Sequence, residues 1–156
     1  MSSIVISESN WQAEWPRLPA LLARHGHELG EAHIVLDLPS ISELDAKGAM
    51  LISTAHDSDK DDQLVAYCIW YLGPDLSRQG SSCAQMGPFY VEAEYRRSGL
   101  GRDLLESSLK SLRKRRVLRA FPHFYEQSPN LGPLFESLGG TPYERSYMID
   151  LRKRTA

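Results

Sequence analysis

The chain has 156 residues, 18 Lys+Arg against 20 Asp+Glu, a formal net charge of −2 and a hydrophobic fraction of 42%, which suits one domain over residues 1–156 with a real core and argues against disorder. No stretch approaches about 18 consecutive apolar residues, and Met1-Ser2-Ser3-Ile4 has no basic region leading into an apolar run, so neither a membrane span nor a secretory leader is expected. Cys68 and Cys83 make no disulfide framework and read as reduced thiols of a cytoplasmic protein, and the near-neutral charge balance gives no support for a general nucleic-acid binder.

Ile4-Val5-Ile6 opens as a short strand. Ser9-Asn10 before Trp11 has the look of a helix start. A helical pattern runs through Trp15, Leu18, Leu21 and Leu22, interrupted by Pro16 and Pro19, which predict a restart or kink. Gly26 and Gly30 mark its end. A second helix begins at Pro39-Ser40, continues through Ile41, Leu44 and Ala46, and stops at Gly48. Three strands come next, over 49–54, 64–72 and 82–91, with a polar turn at 56–63 and a second turn at Gly73-Pro74-Asp75. Gly87-Pro88 lies inside the third of these. Proline cannot donate to a ladder, so the pair implies a bulge or a local split. The clearest helix spans 99–116, with Leu100, Leu104, Leu105, Leu109 and Leu112 on one face. A strand over 117–125, a short helix from Pro129-Asn130 to Leu138, a final strand over 143–151 and a basic tail over 152–156 complete the order βααβββαβαβ. Strands in succession mixed with strand–helix–strand units give an α+β domain with a mixed, mostly antiparallel sheet.

The most informative stretch is Arg96-Arg97-Ser98-Gly99-Leu100-Gly101-Arg102. A strand ends, a glycine-bearing turn succeeds it, and a leucine-striped helix begins. Glycines admit close approach of a ligand to the backbone, and free N–H groups at a helix start bind an anion such as a pyrophosphate. Arg96, Arg97 and Arg102 add positive charge. The spacing is neither that of a P-loop nor the three-glycine dinucleotide fingerprint.

This R-x-x-G-x-G pattern, after Tyr90-Val91 and before Leu104-Leu105, resembles the GNAT superfamily of N-acetyltransferases. The resemblance runs from about Ile4 to Leu151 in element order. A second match joins it: Asn130-Leu131-Gly132-Pro133-Leu134-Phe135-Glu136-Ser137-Leu138-Gly139-Gly140 is similar to the late N-x-x-A-x-x-L-Y-x-x-x-G-F segment. The resemblance implies acetyl-CoA, or a related acyl-CoA, as donor. Its pantetheine arm would pair with the strand at Phe89, Tyr90 and Val91. Its pyrophosphate would sit on the turn of Arg96, Arg97, Ser98, Gly99, Leu100, Gly101 and Arg102, with Asn130 near the pantetheine.

Transfer to an amine needs a path for the amine proton, donors for the developing oxyanion and a proton for the departing thiolate. Here the sequence departs from the family. Phe135 stands where a tyrosine often donates, and Gln85 where a glutamate sometimes acts as base. His123 and Tyr125, two apart at the end of the fifth strand and so on one face, are the expected base and proton donor. His25, His27 and His33 beside Glu28 and Glu31 fit no standard metal spacing, so no metal is expected. Glu92, Glu94 and the acids at Asp57, Asp59, Asp61 and Asp62 read as solvated, and Trp11, Trp15 and Trp70 as core or near-core. Two other readings stand beside an amine acetyltransferase acting on a small molecule, a protein N-terminus or a lysine. One is a non-catalytic acyl-CoA-binding regulatory module, suggested by Phe135 and Gln85. The other is an enzyme acting on a nucleic-acid-linked amine, suggested by Arg113-Lys114-Arg115-Arg116. Dimers are frequent in the family; no membrane partner is expected.

Overall fold

The computed structural model describes residues 3–30 and 37–152. Five strands form one sheet in the order β1-β2-β3-β4-β5: β1 (Ile4–Ser9), β2 (Met50–Asp57), β3 (Gln63–Pro74), β4 (Ser82–Val91) and β5 (Arg119–Phe121). Neighbours are antiparallel from β1 to β4, and β4 and β5 are parallel. The helices are α1 (Trp11–Glu14), α2 (Leu18–Glu28), α3 (Leu38–Ala46), α4 (Leu100–Lys114) and α5 (Gly132–Ser137). The expected mixed, mostly antiparallel sheet with flanking helices is what forms.

The local reasons are legible. Asn10 caps α1, its side chain accepting from the Ala13 amide at 3.0 Å. The predicted first helix breaks in two around Pro16, and Pro19 sits in the first turn of α2, where its missing N–H costs nothing. Asp37 caps α3 through the Ser40 amide. Gly26 does not end α2, which runs on to Glu28; Gly30, at φ +76°, lies just beyond. On one face of the sheet, Leu100, Leu104, Leu105 and Leu112 of α4 pack on Leu51, Val65, Cys68, Trp70 and Met86. Ser108, buried on the same helix face, accepts the Trp70 indole N–H at 3.1 Å and donates to the Leu105 carbonyl. On the other face, Trp11, Leu18, Leu21 and Leu22 cover Ile52, Tyr67, Ile69 and Tyr90. Trp15 is the exception among the tryptophans, being partly exposed. Burial pushes the Cys68 thiol up to about 12, which leaves it inert.

The predicted bulge at Gly87-Pro88 is present. Cys68 pairs with Phe89 but Trp70 pairs with Met86, so Gly87 and Pro88 together oppose Ile69. One extra residue reverses the alternation. Before the bulge Ala84 and Met86 face α4; after it Phe89 and Val91 do, and Tyr90 turns to α2.

Four expectations need correction. The turn predicted at 56–63 is shorter, because β2 continues through His56 and Asp57. Both are buried: Asp57 accepts from the Tyr95 hydroxyl at 2.6 Å, and His56 bonds Glu14 and the Asp62 carbonyl. Their polar groups are satisfied inside the fold, so Asp57 is not solvated as its charge suggests. Gly73 and Pro74 lie within β3 rather than in a turn. The strand predicted over 117–125 shrinks to three residues, since pairing with β4 ends at Gln85–Phe121. The strand predicted over 143–151 does not form. It would need an edge to pair with, and β5 offers three residues beside which Tyr143 lies against Phe121 and Arg119. Tyr147 and Leu151 are 85% and 92% exposed. Of the basic tail, Arg152 bonds Asp150, and 153–156 lie outside the described residues.

Candidate active site

Two features of the sheet meet at the end of β4. After Gln85, β4 keeps β3 on one side and no described strand on the other. At its end a short 3-10 turn (Ala93–Tyr95) leads to Arg96 and then into α4. Arg97 lies at φ +61° and Gly99 at φ +93°, so Gly99 holds a conformation that L side chains rarely adopt. Ser98 ties the turn internally: its hydroxyl donates to the Tyr95 carbonyl at 2.6 Å and accepts from the Leu100 amide. The amides of Arg97, Ser98, Gly99, Gly101 and Arg102 have no acceptor among the described residues. Gly101 faces the strand, where a Cβ would lie in ordinary contact, 3.4 Å from the Phe89 ring and 3.6 Å from Val91. Among the described residues, α4 thus starts with amides that have no acceptor, beside a strand edge that has no neighbour.

The three arginines differ in circumstance. The Arg96 guanidinium is held by Glu28 at 2.6 and 2.9 Å and lies over the Tyr90 ring, while its Nε donates to the Val91 carbonyl at 2.8 Å. Arg102 reaches the Ser137 hydroxyl on α5 at 2.7 Å. Arg97 has no side-chain partner among the described residues. Glu92 and Glu94, expected in solvent, pair with Arg24 and Lys60. A groove of about 500 Å³ beside the turn is lined by Asp57, Lys60, Glu94, Tyr95, Ser98 and Asp103.

Past the end of β5, His123 and Tyr125 stand on a loop rather than a strand, yet their rings still meet edge to face at 6.2 Å. Partial burial lowers the His123 pKa, which favours the neutral, proton-accepting ring. Burial raises the Tyr71 pKa, and the neighbouring Tyr125 raises it further; Tyr67 is raised by the same causes, with Tyr90 adding to them. Gln85 is exposed at the apex where β4 and β5 part, paired with Tyr71 on one side and Phe121 on the other. Phe135 packs on the core and near the Phe124 ring. Asn130 spends its side-chain oxygen on the Gly132 amide at 2.9 Å, shaping the start of α5.

Sequence reasoning missed a polar array on the α2 side. His25 bonds the Tyr67 hydroxyl at 2.7 Å and stacks on Tyr90 at 4.9 Å, and the Tyr90 hydroxyl donates to Glu28 at 2.7 Å. His25 and Glu28 are therefore engaged in hydrogen bonds with tyrosines and an arginine. His33 and Glu31, weighed with them as metal ligands, lie outside the described residues. No local spacing announces this array, because Glu28 and Arg96 are 68 positions apart. The only signal was a run of histidines and glutamates at the end of an amphipathic helix.

Comparison with known proteins bears on this geometry. No curated protein matches the sequence. Solved structures do. An acetyltransferase of Trypanosoma brucei shares 18% identity over 96% of this chain and 100% of its own, with a TM-score of 0.75. A ribosomal-protein-alanine N-acetyltransferase from Brucella melitensis biovar Abortus 2308 shares 19% over 96% and 99%, with a TM-score of 0.73. A predicted acetyltransferase from Clostridium acetobutylicum, solved with acetyl-CoA, shares 10% over 96% and 97%, also at 0.73. These likenesses establish the fold. The profile of the acetyltransferase (GNAT) family matches residues 9–139, a span that takes in the open strand edge, the glycine turn and α5, and the chain therefore belongs to that family, an N-acetyltransferase whose acyl donor is acetyl-CoA.

Proposed function

We propose that the amide face of the 97–102 turn holds the pyrophosphate of acetyl-CoA and that the open edge of β4 at Phe89, Tyr90 and Val91 holds its pantetheine arm. The observation that carries this reading is the set of amides at the start of α4 that have no acceptor among the described residues, set directly after a strand whose outer edge, beyond Gln85, has no described neighbour. Arg96 is neutralised by Glu28, so Arg97 and Arg102 supply the charge left over for the anion. Asn130 shapes the loop before α5 and borders the arm from that side.

When bound, the thioester supplies an activated acetyl group. The chain's own groups then manage protons and charge. His123 accepts the proton that the amine sheds as its nitrogen bonds the acetyl carbon. Main-chain N–H groups on the free β4 edge donate to the carbonyl oxygen as it gains charge. Tyr125 gives its hydroxyl proton to the sulfur as the carbon–sulfur bond breaks. Phe135 contributes no proton, which is why the acid is sought on the neighbouring loop. The reading extends to one catalytic domain working in the cytoplasm on an amine carried by a small molecule or a protein. A nucleic-acid acceptor is disfavoured by Arg115, one of the four basic residues that suggested it, which is tied to Glu8 and to the Met50 carbonyl.

The test is calorimetric titration of acetyl-CoA into wild type and Gly101→Glu, with thiol release followed across a panel of amines. A Cβ at Gly101 meets only ordinary van der Waals contacts, so Gly101→Ala should bind almost normally, whereas Gly101→Glu sets a carboxylate at the anion site and should abolish binding. Wild type that binds no acetyl-CoA, or a glutamate variant that binds it undiminished, would overturn the assignment of the turn.

A further inference from the structure

One helix directs three polar side chains at the end of β4. On the last turns of α2, Arg24 pairs with Glu92, His25 stacks on Tyr90, and Glu28 accepts from both Tyr90 and Arg96. Tyr90 is the penultimate residue of β4, and Arg96 opens the glycine turn. One carboxylate therefore grips the chain just before and just after the segment 91–95. Arg96 adds a third tie by donating to the Val91 carbonyl at 2.8 Å. The glycine turn beyond Arg96 makes two demands on the backbone, Arg97 at φ +61° and Gly99 at φ +93°.

A carboxylate in contact with the leading arginine of an anion site is electrostatically the wrong charge. It cancels the guanidinium and repels the guest. The Tyr90 hydroxyl and the Arg96 guanidinium outweigh burial and hold the Glu28 carboxyl below its usual range, so the negative charge is present at neutral pH. The pair is also well exposed, 38% and 41% on the two side chains, a setting in which an ion pair contributes little to folding. Geometry offers the remaining role.

We propose that Glu28 is a positioning residue for the donor site: by holding Tyr90 and Arg96 together it presets the turn that presents the amides of Arg97, Ser98, Gly99, Gly101 and Arg102 before a pyrophosphate arrives. The inference rests on the donor-site reading above. Its benefit is preorganisation, because a turn already in the binding geometry loses less freedom when the ligand docks. Arg24–Glu92 and His25–Tyr90 support the same end of β4 from the same helix, and Glu28 is the member that reaches the turn itself.

The two views of Glu28 predict opposite signs. If it acts as a nearby charge, Glu28→Gln frees Arg96, removes a repulsion and tightens acetyl-CoA binding. If it positions the turn, Glu28→Gln weakens binding by about tenfold. Calorimetry of CoA and acetyl-CoA with wild type, Glu28→Gln, Tyr90→Phe and the double variant reads this directly. The expected result is weaker binding in each single variant, a double variant no worse than Glu28→Gln, and a raised KM for acetyl-CoA with the acceptor KM unmoved. Equal or tighter binding by Glu28→Gln, with the unfolding midpoint of wild type retained, overturns the proposal and leaves the donor-site reading intact. Should Glu28→Gln fail to fold, Tyr90→Phe carries the same test, since it removes one grip and keeps the ring. Wild type that binds neither ligand overturns both.

Discussion

His123, the base expected from the sequence, has a setting that gives the proposed role a pH signature. In the fold it stands on the loop beyond β5, its ring against Tyr125, with its pKa lowered by partial burial from an ordinary value of 6.5. A lowered pKa keeps the ring neutral above that value, and the base form is lost only as pH falls below it. We expect kcat at saturating acceptor to hold down to pH 6.5 and to fall on an acid limb beneath it. His123→Gln should lower kcat about 100-fold and remove that limb. A full pH–rate profile of both proteins checks this, and an unchanged limb in the variant would assign it to another group. Residue-scale reading of the sequence also erred at Asp57. Its neighbours are all polar, and nothing in that run signals that Tyr95, 38 positions on, will seal it from solvent.

At the scale of elements, the bulge in β4 is the feature on which the site depends. It shifts the register by one residue, so that Phe89 and Val91 meet Gly101 while Tyr90 meets α2. Glycine at position 87 is required there for space. A Cβ would fall 2.6 Å from the Tyr71 ring and 3.3 Å from the Ile69 carbonyl. Gly87→Ala should therefore destabilise by about 1–3 kcal/mol in urea denaturation. Tyr71→Ala made in the same chain should relieve a large part of that cost, because the ring is the nearer obstacle. Additive losses would mean that the strand backbone, not Tyr71, resists the methyl group. The bulge was readable from Gly87-Pro88 because proline's missing N–H is a local property. The short length of β5 was readable only in part. Val117 to Phe121 has strand composition and Pro122 has no N–H to give a ladder, but a strand also extends only as far as a neighbour supplies partners, and β4 diverges after Gln85.

For the whole molecule, donor binding and folding are linked. Acetyl-CoA at about 100 times its Kd should add about 2.7 kcal/mol and raise Tm by roughly 5–10 °C. Gly101→Glu should abolish the shift; a shift that persists in that variant would place the ligand elsewhere. The carboxyl-terminal stretch is predicted to be a bystander to this stability. Tyr147 and Ile149 are 85% and 74% exposed, so changing each to Ser should move the unfolding free energy by no more than about 0.5 kcal/mol. A loss above about 2 kcal/mol would show that these side chains are covered in solution.

Sequence alone determined the features that obey local rules. The leucine face of α4, the helix start at Asn10, the glycine turn before α4 and the bulge proline each depend on a few adjacent residues. The family and the donor came from the resemblance of the R-x-x-G-x-G turn and the 130–140 segment to known acetyltransferases, together with the element order. Tertiary structure decided what depends on distant partners. It placed Glu28 against Arg96, buried Asp57 and His56, left 143–151 without a strand partner among the described residues, and set the His123 ring against Tyr125 on a loop. The physical reason is the same in each case: hydrogen bonds and burial between segments tens of residues apart are set by how the sheet and helices pack, and no spacing within the chain encodes that packing.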